Sequence, residues 1–143
     1  MINLLKTLKE NRFMKTPEEV ITFEETLEKI AENPHDEYLK DLHLILDDNC
    51  EQAEVMFGLV HFLESFDPQQ QIEAFIAVIP QLMITAPEWT KIIHYRIIND
   101  ELACQNYQKC LELANEKTPH FLYQLLSESI KNNINSKHIL AIS

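Results

Sequence analysis

Glycine is almost absent from this chain of 143 residues, in which Gly58 is the only one. Sheets joined by tight turns ordinarily need several glycines, because hairpin turns require positive φ angles. The scarcity of glycine therefore argues against a β-rich fold. Helices joined by short polar turns have no such need, and an apolar fraction of 45% is enough to build a core.

Cysteines and long apolar runs are also scarce. The three cysteines, Cys50, Cys104 and Cys110, form no CxxC pair, and an odd number is a poor disulfide framework. Free thiols are typical of a reducing cytosol. Because no apolar run is long enough for a signal peptide or a membrane span, we expect a soluble, cytoplasmic protein that has no membrane partner.

Sequence motifs for catalysis are missing as well. The chain has no Gly-rich phosphate loop, no GxSxG motif and no basic patch interleaved with aromatic residues. Cys104 and Cys110 have no accompanying histidine pattern for zinc or for a thiol nucleophile. We therefore expect a protein that is not an enzyme, uses no cofactor and does not bind nucleic acid directly.

Basic residues are nearly absent from one stretch of the chain. Residues 17–67 contain fifteen Asp or Glu but only Lys29 and Lys40 as basic residues. Residues 1–16 are basic on balance, and residues 68–143 are close to neutral. Such segregation is a surface property that selects partners of the opposite sign. It favours a basic protein partner, for instance one that itself binds nucleic acid.

Helical periodicity runs through the whole chain. Thr16-Pro17-Glu18-Glu19 has the pattern of a helix start, with a threonine cap and proline at the first position. Pro80 lies within a helical pattern and is expected to kink or split it. The tail from residue 135 to 143 is partly apolar and is expected to pack or fray. The predicted helices cover residues 2–14, 17–32, 35–47, 51–66, 68–83, 87–97, 101–115 and 119–134.

These elements predict an all-α fold of seven to eight antiparallel helices in a single domain over residues 1–143. Helix units of about 20 residues would give pairs that repeat near 40 residues, close to the HEAT period. The sequence shows no strong self-similarity at that spacing. Stacked helix pairs and a compact bundle both remain open, and stacking is slightly favoured.

Two constellations suggest metal sites, but each has a structural interpretation. His61 and Glu64 lie three residues apart on one helix, whereas metal-binding bundles usually supply two such motifs. The acidic turn at residues 47–51 lacks the central glycine of a calcium loop. A structural histidine is the favoured interpretation of His61. The acidic turn is expected to cap the helix that begins near Glu51.

The acidic stretch supplies the candidate binding residues. Exposed helices usually mix charges of both signs for i,i+4 support, and this segment has almost no compensating Lys or Arg. A purely solvated face and a binding face are about equally supported by this pattern. The candidate contacts are Glu25, Glu28, Glu32, Asp36, Glu37, Asp47, Asp48 and Glu51, with Tyr38 as an aromatic anchor.

Three segments resemble the bacterial immunity protein 30 family of polymorphic toxin systems. They are FEETLEKIAEN, LDDNCEQAEVMFGLVHFLESFD and APEWTKIIHYRIIND, and the likeness extends from about Arg12 to Tyr107. The resemblance implies an all-helical cytoplasmic protein that binds and neutralises one cognate toxin, with no catalytic residue to carry over. The motif residues are expected to be fold determinants rather than toxin contacts: Phe57, Gly58, His61, Glu64, Trp89, Arg96 and Asn99.

Three functional hypotheses follow. The first is an immunity protein whose acidic helical face binds a toxin with a basic surface, a nuclease being one candidate class. The second is a helical-repeat adaptor without a toxin partner. The third is a metal-dependent helical enzyme built on His61, Glu64 and His94.

Overall fold

The computed structural model describes the backbone of residues 2–142 and the side chains of residues 3–133. This part of the chain forms α-helices and one short 3₁₀ helix at Asp36–Tyr38, with no strand. The all-α prediction is therefore confirmed. The α-helices are α1 (Ile2–Glu10), α2 (Pro17–Glu32), α3 (Leu39–His43), α4 (Ala53–Glu64), α5 (Pro68–Thr85), α6 (Pro87–Ile98), α7 (Glu101–Lys117) and α8 (Phe121–Ile142).

Local capping fixes where the long helices begin. The Thr16 side chain accepts a hydrogen bond from the Glu19 backbone N–H at 3.1 Å, and Pro17 occupies the first helical position of α2. Asp67 does the same for α5, accepting from Gln70 N–H at 3.2 Å. Because these bonds join residues only three apart, the sequence alone was enough to predict both starts.

Several predicted elements differ from the structure. The helix predicted over residues 2–14 ends at Glu10, and the one predicted over residues 119–134 continues to Ile142. The helix predicted over residues 35–47 is reduced to the 3₁₀ helix and the five residues of α3. Beyond it the backbone continues in tight turns, in which Ile45 N–H donates to Leu42 O and Leu46 N–H to His43 O, both at 3.2 Å. The side chains of Ile45 and Leu46 are nevertheless buried.

Pro80 does not split α5, which is continuous from Pro68 to Thr85. The proline ring removes one backbone donor from the helix. On either side of it, Ile76, Ile79 and Leu82 are buried in the core. We attribute the continuity of the helix to this packing, which outweighs the local preference of the proline. The predicted packing of the C-terminal tail lies outside the described side chains.

The chain divides into two compact units, residues Met1–Ile93 and His94–Ser143, which are described separately. In the first unit, α1 packs on α2, α2 on α4, and α3, α4 and α5 pack on one another. The single domain over residues 1–143 stays a prediction. The fully buried side chains of the first unit include Phe23 on α2, Met56 and Leu59 on α4, and Phe75 on α5.

A buried histidine links α3 to α5. His43 is fully buried; its Nδ1 lies 2.7 Å from Leu39 O and its Nε2 lies 3.2 Å from the Gln71 side-chain nitrogen. Burial lowers the pKa of His43 to about 4. The ring is therefore neutral at physiological pH and serves as a hydrogen-bonding core residue.

The second unit consists largely of α7 packed on α8. His94 Nδ1 lies 2.8 Å from the Tyr107 hydroxyl, and its Nε2 lies 3.0 Å from the Ser129 hydroxyl. Burial lowers the pKa of His94 to about 4 and raises the pKa of Tyr107. This arrangement gives His94 a structural role. Across the described residues, no helix combines the length and apolar character needed to cross a membrane.

Candidate protein-binding surface

The outer side of α2 is acidic. Phe23, Thr26 and Ile30 are the buried residues of this helix and define its core side. Successive residues of an α-helix turn by about 100°. At this spacing every glutamate of α2 except Glu19 lies away from the core side. The exposed glutamates of α2 are Glu18, Glu24, Glu25, Glu28 and Glu32. Within α2 only Lys29 is basic, so the charge of this face is almost uncompensated.

The acidity continues past the end of α2. Asp36 and Glu37 of the 3₁₀ helix are exposed, and so is Glu51 before α4. Tyr38 is half-buried, and its ring meets the edge of His35 with 5.4 Å between centroids. We call the exposed members of the predicted contact set the acidic surface: Glu25, Glu28, Glu32, Asp36, Glu37 and Glu51.

Asp47 does not belong to this exposed surface. Only 4% of the residue is exposed, and its Oδ2 lies 3.6 Å from Arg12 Nε. Its Oδ1 accepts a hydrogen bond from the Asn49 backbone N–H at 2.8 Å. Asp47 was predicted to contact a partner, but its contacts join the acidic turn to the segment after α1. A bond from Glu51 N–H to Phe13 O, at 2.9 Å, makes the same connection.

Asp48 also serves the fold. Its carboxylate accepts hydrogen bonds from the backbone N–H groups of Glu88 at 2.9 Å and Trp89 at 3.2 Å. It therefore caps the N-terminus of α6, where a negative charge is also favoured by the helix dipole. The acidic turn was predicted to cap the helix after Glu51, and this prediction is wrong for Asp48, which caps a helix about 40 residues away in sequence.

A groove lies between α2 and α4, alongside the acidic surface. Its volume is about 580 Å³. Half-buried Leu27, Val55 and Phe62 supply its apolar floor, whereas the carboxylates on its rim belong to exposed residues. We call it the acidic groove; it is lined by Glu24, Leu27, Glu28, Ala31, Glu54, Val55, Gly58, His61, Phe62 and Ser65.

Two residues that line the acidic groove had been predicted to serve the fold. Gly58 and His61 were predicted to be fold determinants, yet both are exposed. A Cβ atom built on Gly58 would meet Leu27 Cδ2 at 4.0 Å, an ordinary van der Waals distance, and its φ angle is not positive. Neither packing nor backbone conformation therefore requires glycine at this position. By contrast, Phe57 packs on buried Trp89 with 4.9 Å between ring centroids, as a fold determinant should.

Sequence reasoning missed Glu24 and Glu54 as candidate binding residues. The signal for them is a second stripe on each helix. On α2, residues 24, 27, 28 and 31 recur at helical spacing beside the core stripe. On α4, residues 54, 58 and 61 do the same, and residue 65 directly after the helix continues the stripe. The sequence of one helix does not show which other helix packs beside it. The two stripes form one groove only because α2 packs on α4.

The metal hypotheses receive no geometric support from the described residues. Among them, no three His, Cys, Asp or Glu side chains are grouped so that they could hold a metal ion. His61 lines the acidic groove and contacts the Phe57 ring with 6.3 Å between centroids. The arrangement of this surface suits binding of a protein segment better than metal coordination.

The sequence model of the immunity protein 30 family matches residues 10–107. The chain belongs to the immunity protein 30 family. This span contains α2 to α6, the acidic surface and the acidic groove, and it confirms the resemblance seen in the sequence motifs. Membership in the family implies an immunity function, in which the protein binds a cognate toxin. No curated protein and no solved structure matched the chain.

Proposed function

We propose that this immunity protein neutralises one cognate toxin by binding it through the acidic surface of the first unit. The observation that carries the proposal is the segregation of charge, fifteen acidic residues against two basic ones within residues 17–67. Six of these carboxylates form the exposed acidic surface, whereas Asp47 and Asp48 are held by internal contacts. Tyr38 lies at the edge of the surface as an aromatic anchor.

The sign of the surface sets the chemistry of the partner. A toxin that cleaves nucleic acid has a basic cleft, because it must bind phosphates. Carboxylates presented on a rigid helix can occupy such a cleft in place of the substrate. Complementary charge also steers association, which raises rate constants from about 10⁵–10⁶ to about 10⁸ M⁻¹s⁻¹ at low salt. Rapid capture suits an inhibitor of a lethal enzyme.

The test combines growth rescue with binding kinetics. The product of the gene immediately upstream is expressed alone and together with this chain. Toxicity that is relieved by co-expression, with a complex that co-purifies, supports the proposal. No toxicity upstream and no complex would favour the adaptor hypothesis instead.

Charge reversal then tests the surface itself. The four-site variant E25K, E28K, E32K and D36K is compared with a control that reverses four exposed carboxylates of the second unit, E101K, E112K, E116K and E128K. Both variants change the net charge equally. We expect the first to slow association at low salt by about tenfold or more relative to the control. Equal rates for the two variants would refute the proposed face.

A further inference from the structure

The acidic groove shares Glu28 with the acidic surface and adds apolar side chains to its carboxylates. Glu24 and Glu28 line one wall and Glu54 the other, and none of its ten described lining residues is Lys or Arg. Between these carboxylates lies an apolar floor. A side chain with an aliphatic stem and a cationic end fits such a site, because the stem covers the floor while the charge reaches the rim.

The only glycine of the chain lies in this floor. Glycine in the interior of a helix is less favourable than alanine, because it loses more conformational freedom on folding. Space for a Cβ atom is available at Gly58, so the fold gains nothing in packing from the missing side chain. A residue that disfavours its own helix and leaves the floor open is expected where another molecule approaches the backbone closely.

The shape of the groove indicates which kind of segment enters. Its second wall extends from residue 54 of α4 to Ser65, the residue that follows the helix, which corresponds to about 16 Å at the rise of an α-helix. No strand edge exists among the described residues, so a partner has no edge on which to add a strand. A groove between two helices suits the face of a third helix, which inserts side chains at i, i+3 or i+4, and i+7.

We propose that the acidic groove seats a basic amphipathic helix of the toxin, with Gly58 as the point of closest approach. This inference rests on the proposed function. It adds which kind of toxin segment is recognised and where on this protein that segment binds. The charges on the acidic surface act at a distance and govern association. Contacts in the groove act only once the helix is seated, and therefore govern dissociation.

The decisive variant fills the groove without changing charge. Gly58→Leu places a side chain on the floor, and Ala53→Leu adds the same group at an exposed position of α4 that does not line the groove. With the toxin from the adjacent gene, we expect Gly58→Leu to raise the dissociation rate about tenfold or more. Ala53→Leu should stay within about twofold of wild type. Circular dichroism checks that both variants fold.

A second pair of variants examines the rim. Glu24→Gln with Glu54→Gln removes two groove carboxylates, and Glu18→Gln with Asp41→Asn removes two exposed carboxylates elsewhere in the first unit. Both pairs remove the same charge. We expect only the groove pair to speed dissociation, and both pairs to change the association rate similarly.

The outcomes separate the two proposals. If the wild-type chain neither binds nor rescues, the proposed function fails, and the groove inference fails with it. If the wild-type chain rescues but Gly58→Leu dissociates no faster than Ala53→Leu, only the groove inference is overturned. Faster dissociation of Gly58→Leu and of the groove pair, with the dissociation rates of both controls unchanged, supports binding of the helix in the groove.

Discussion

Replacing Gly58 by alanine should stabilise this protein, and the size of the effect follows from the structure. Position 58 lies within α4, has no positive φ angle and is exposed. Alanine is favoured over glycine in a helix interior by about 0.5–1 kcal/mol. The new Cβ atom would approach Leu27 Cδ2 no closer than 4.0 Å, so no strain offsets that gain. We therefore expect the free energy of unfolding to rise by about 0.5–1 kcal/mol.

The measurement is urea unfolding followed by circular dichroism, with a thermal scan in parallel. For a protein of this size, a gain of this order corresponds to a rise in Tm of about 1–4 °C. The matched control is Ala77→Gly, an exposed position within α5, which should lose about 1 kcal/mol. If Gly58→Ala destabilises the protein while Ala77→Gly behaves as expected, position 58 is required by the fold, and the argument for an open groove floor is refuted.

Three further predictions concern polar side chains that make contacts within the fold. Asp48→Ala should lower the unfolding free energy by about 1–2 kcal/mol, because it removes the cap of α6. Asp48→Asn should retain most of the wild-type stability, since its side-chain oxygen can still accept a hydrogen bond. Equal unfolding free energies of the two variants in urea would contradict the cap. Arg12→Met should cost about 2 kcal/mol or more, since it leaves the Asp47 carboxylate buried without its partner, and the double variant with Asp47→Leu should recover part of the loss. The pKa of His43 is about 4 in the folded protein and 6.5 unfolded, so the unfolded state binds more protons between these values, and stability should fall as the pH drops below about 6.5. Unfolding measured from pH 7 to pH 4 should show this fall. His43→Gln should reduce its size, and the remaining part comes from His94, whose pKa burial also lowers to about 4.

The sequence was informative where structure is set by near neighbours. The starts of α2 and α5 were predictable because Thr16 and Asp67 each accept a hydrogen bond from the backbone N–H three residues further along the chain. The buried stripe through Phe23 and Ile30 was predictable because it follows the helical period. Family membership was also visible in the sequence, since its motifs are contiguous segments. Each of these signals requires no knowledge of which helices pack together.

The sequence was misleading where the partner lies far along the chain. The acidic turn looked like a cap for the helix that follows it, but Asp48 caps α6 and Asp47 pairs with Arg12. No local pattern distinguishes an aspartate that serves a distant backbone from one that faces solvent. Pro80 was expected to kink or split its helix. The split does not occur, because buried neighbours on both sides keep α5 continuous.

The sequence predicted only part of the candidate site, because the other part depends on which helices pack together. The exposed carboxylates of α2 follow from charge and periodicity alone, and six of the nine predicted contact residues form the acidic surface. Glu54 and Gly58 gain their significance from the packing of α2 on α4, which turns two separate helical faces into one groove. Whether these residues contact a toxin remains a prediction.

The most direct test of the central claim is growth of cells that express the toxin from the adjacent gene together with wild-type or charge-reversed forms of this chain. Our account predicts rescue by the wild type and by the variant reversed in the second unit, and loss of rescue when E25K, E28K, E32K and D36K are combined. Undiminished rescue by that four-site variant would contradict neutralisation through the acidic surface.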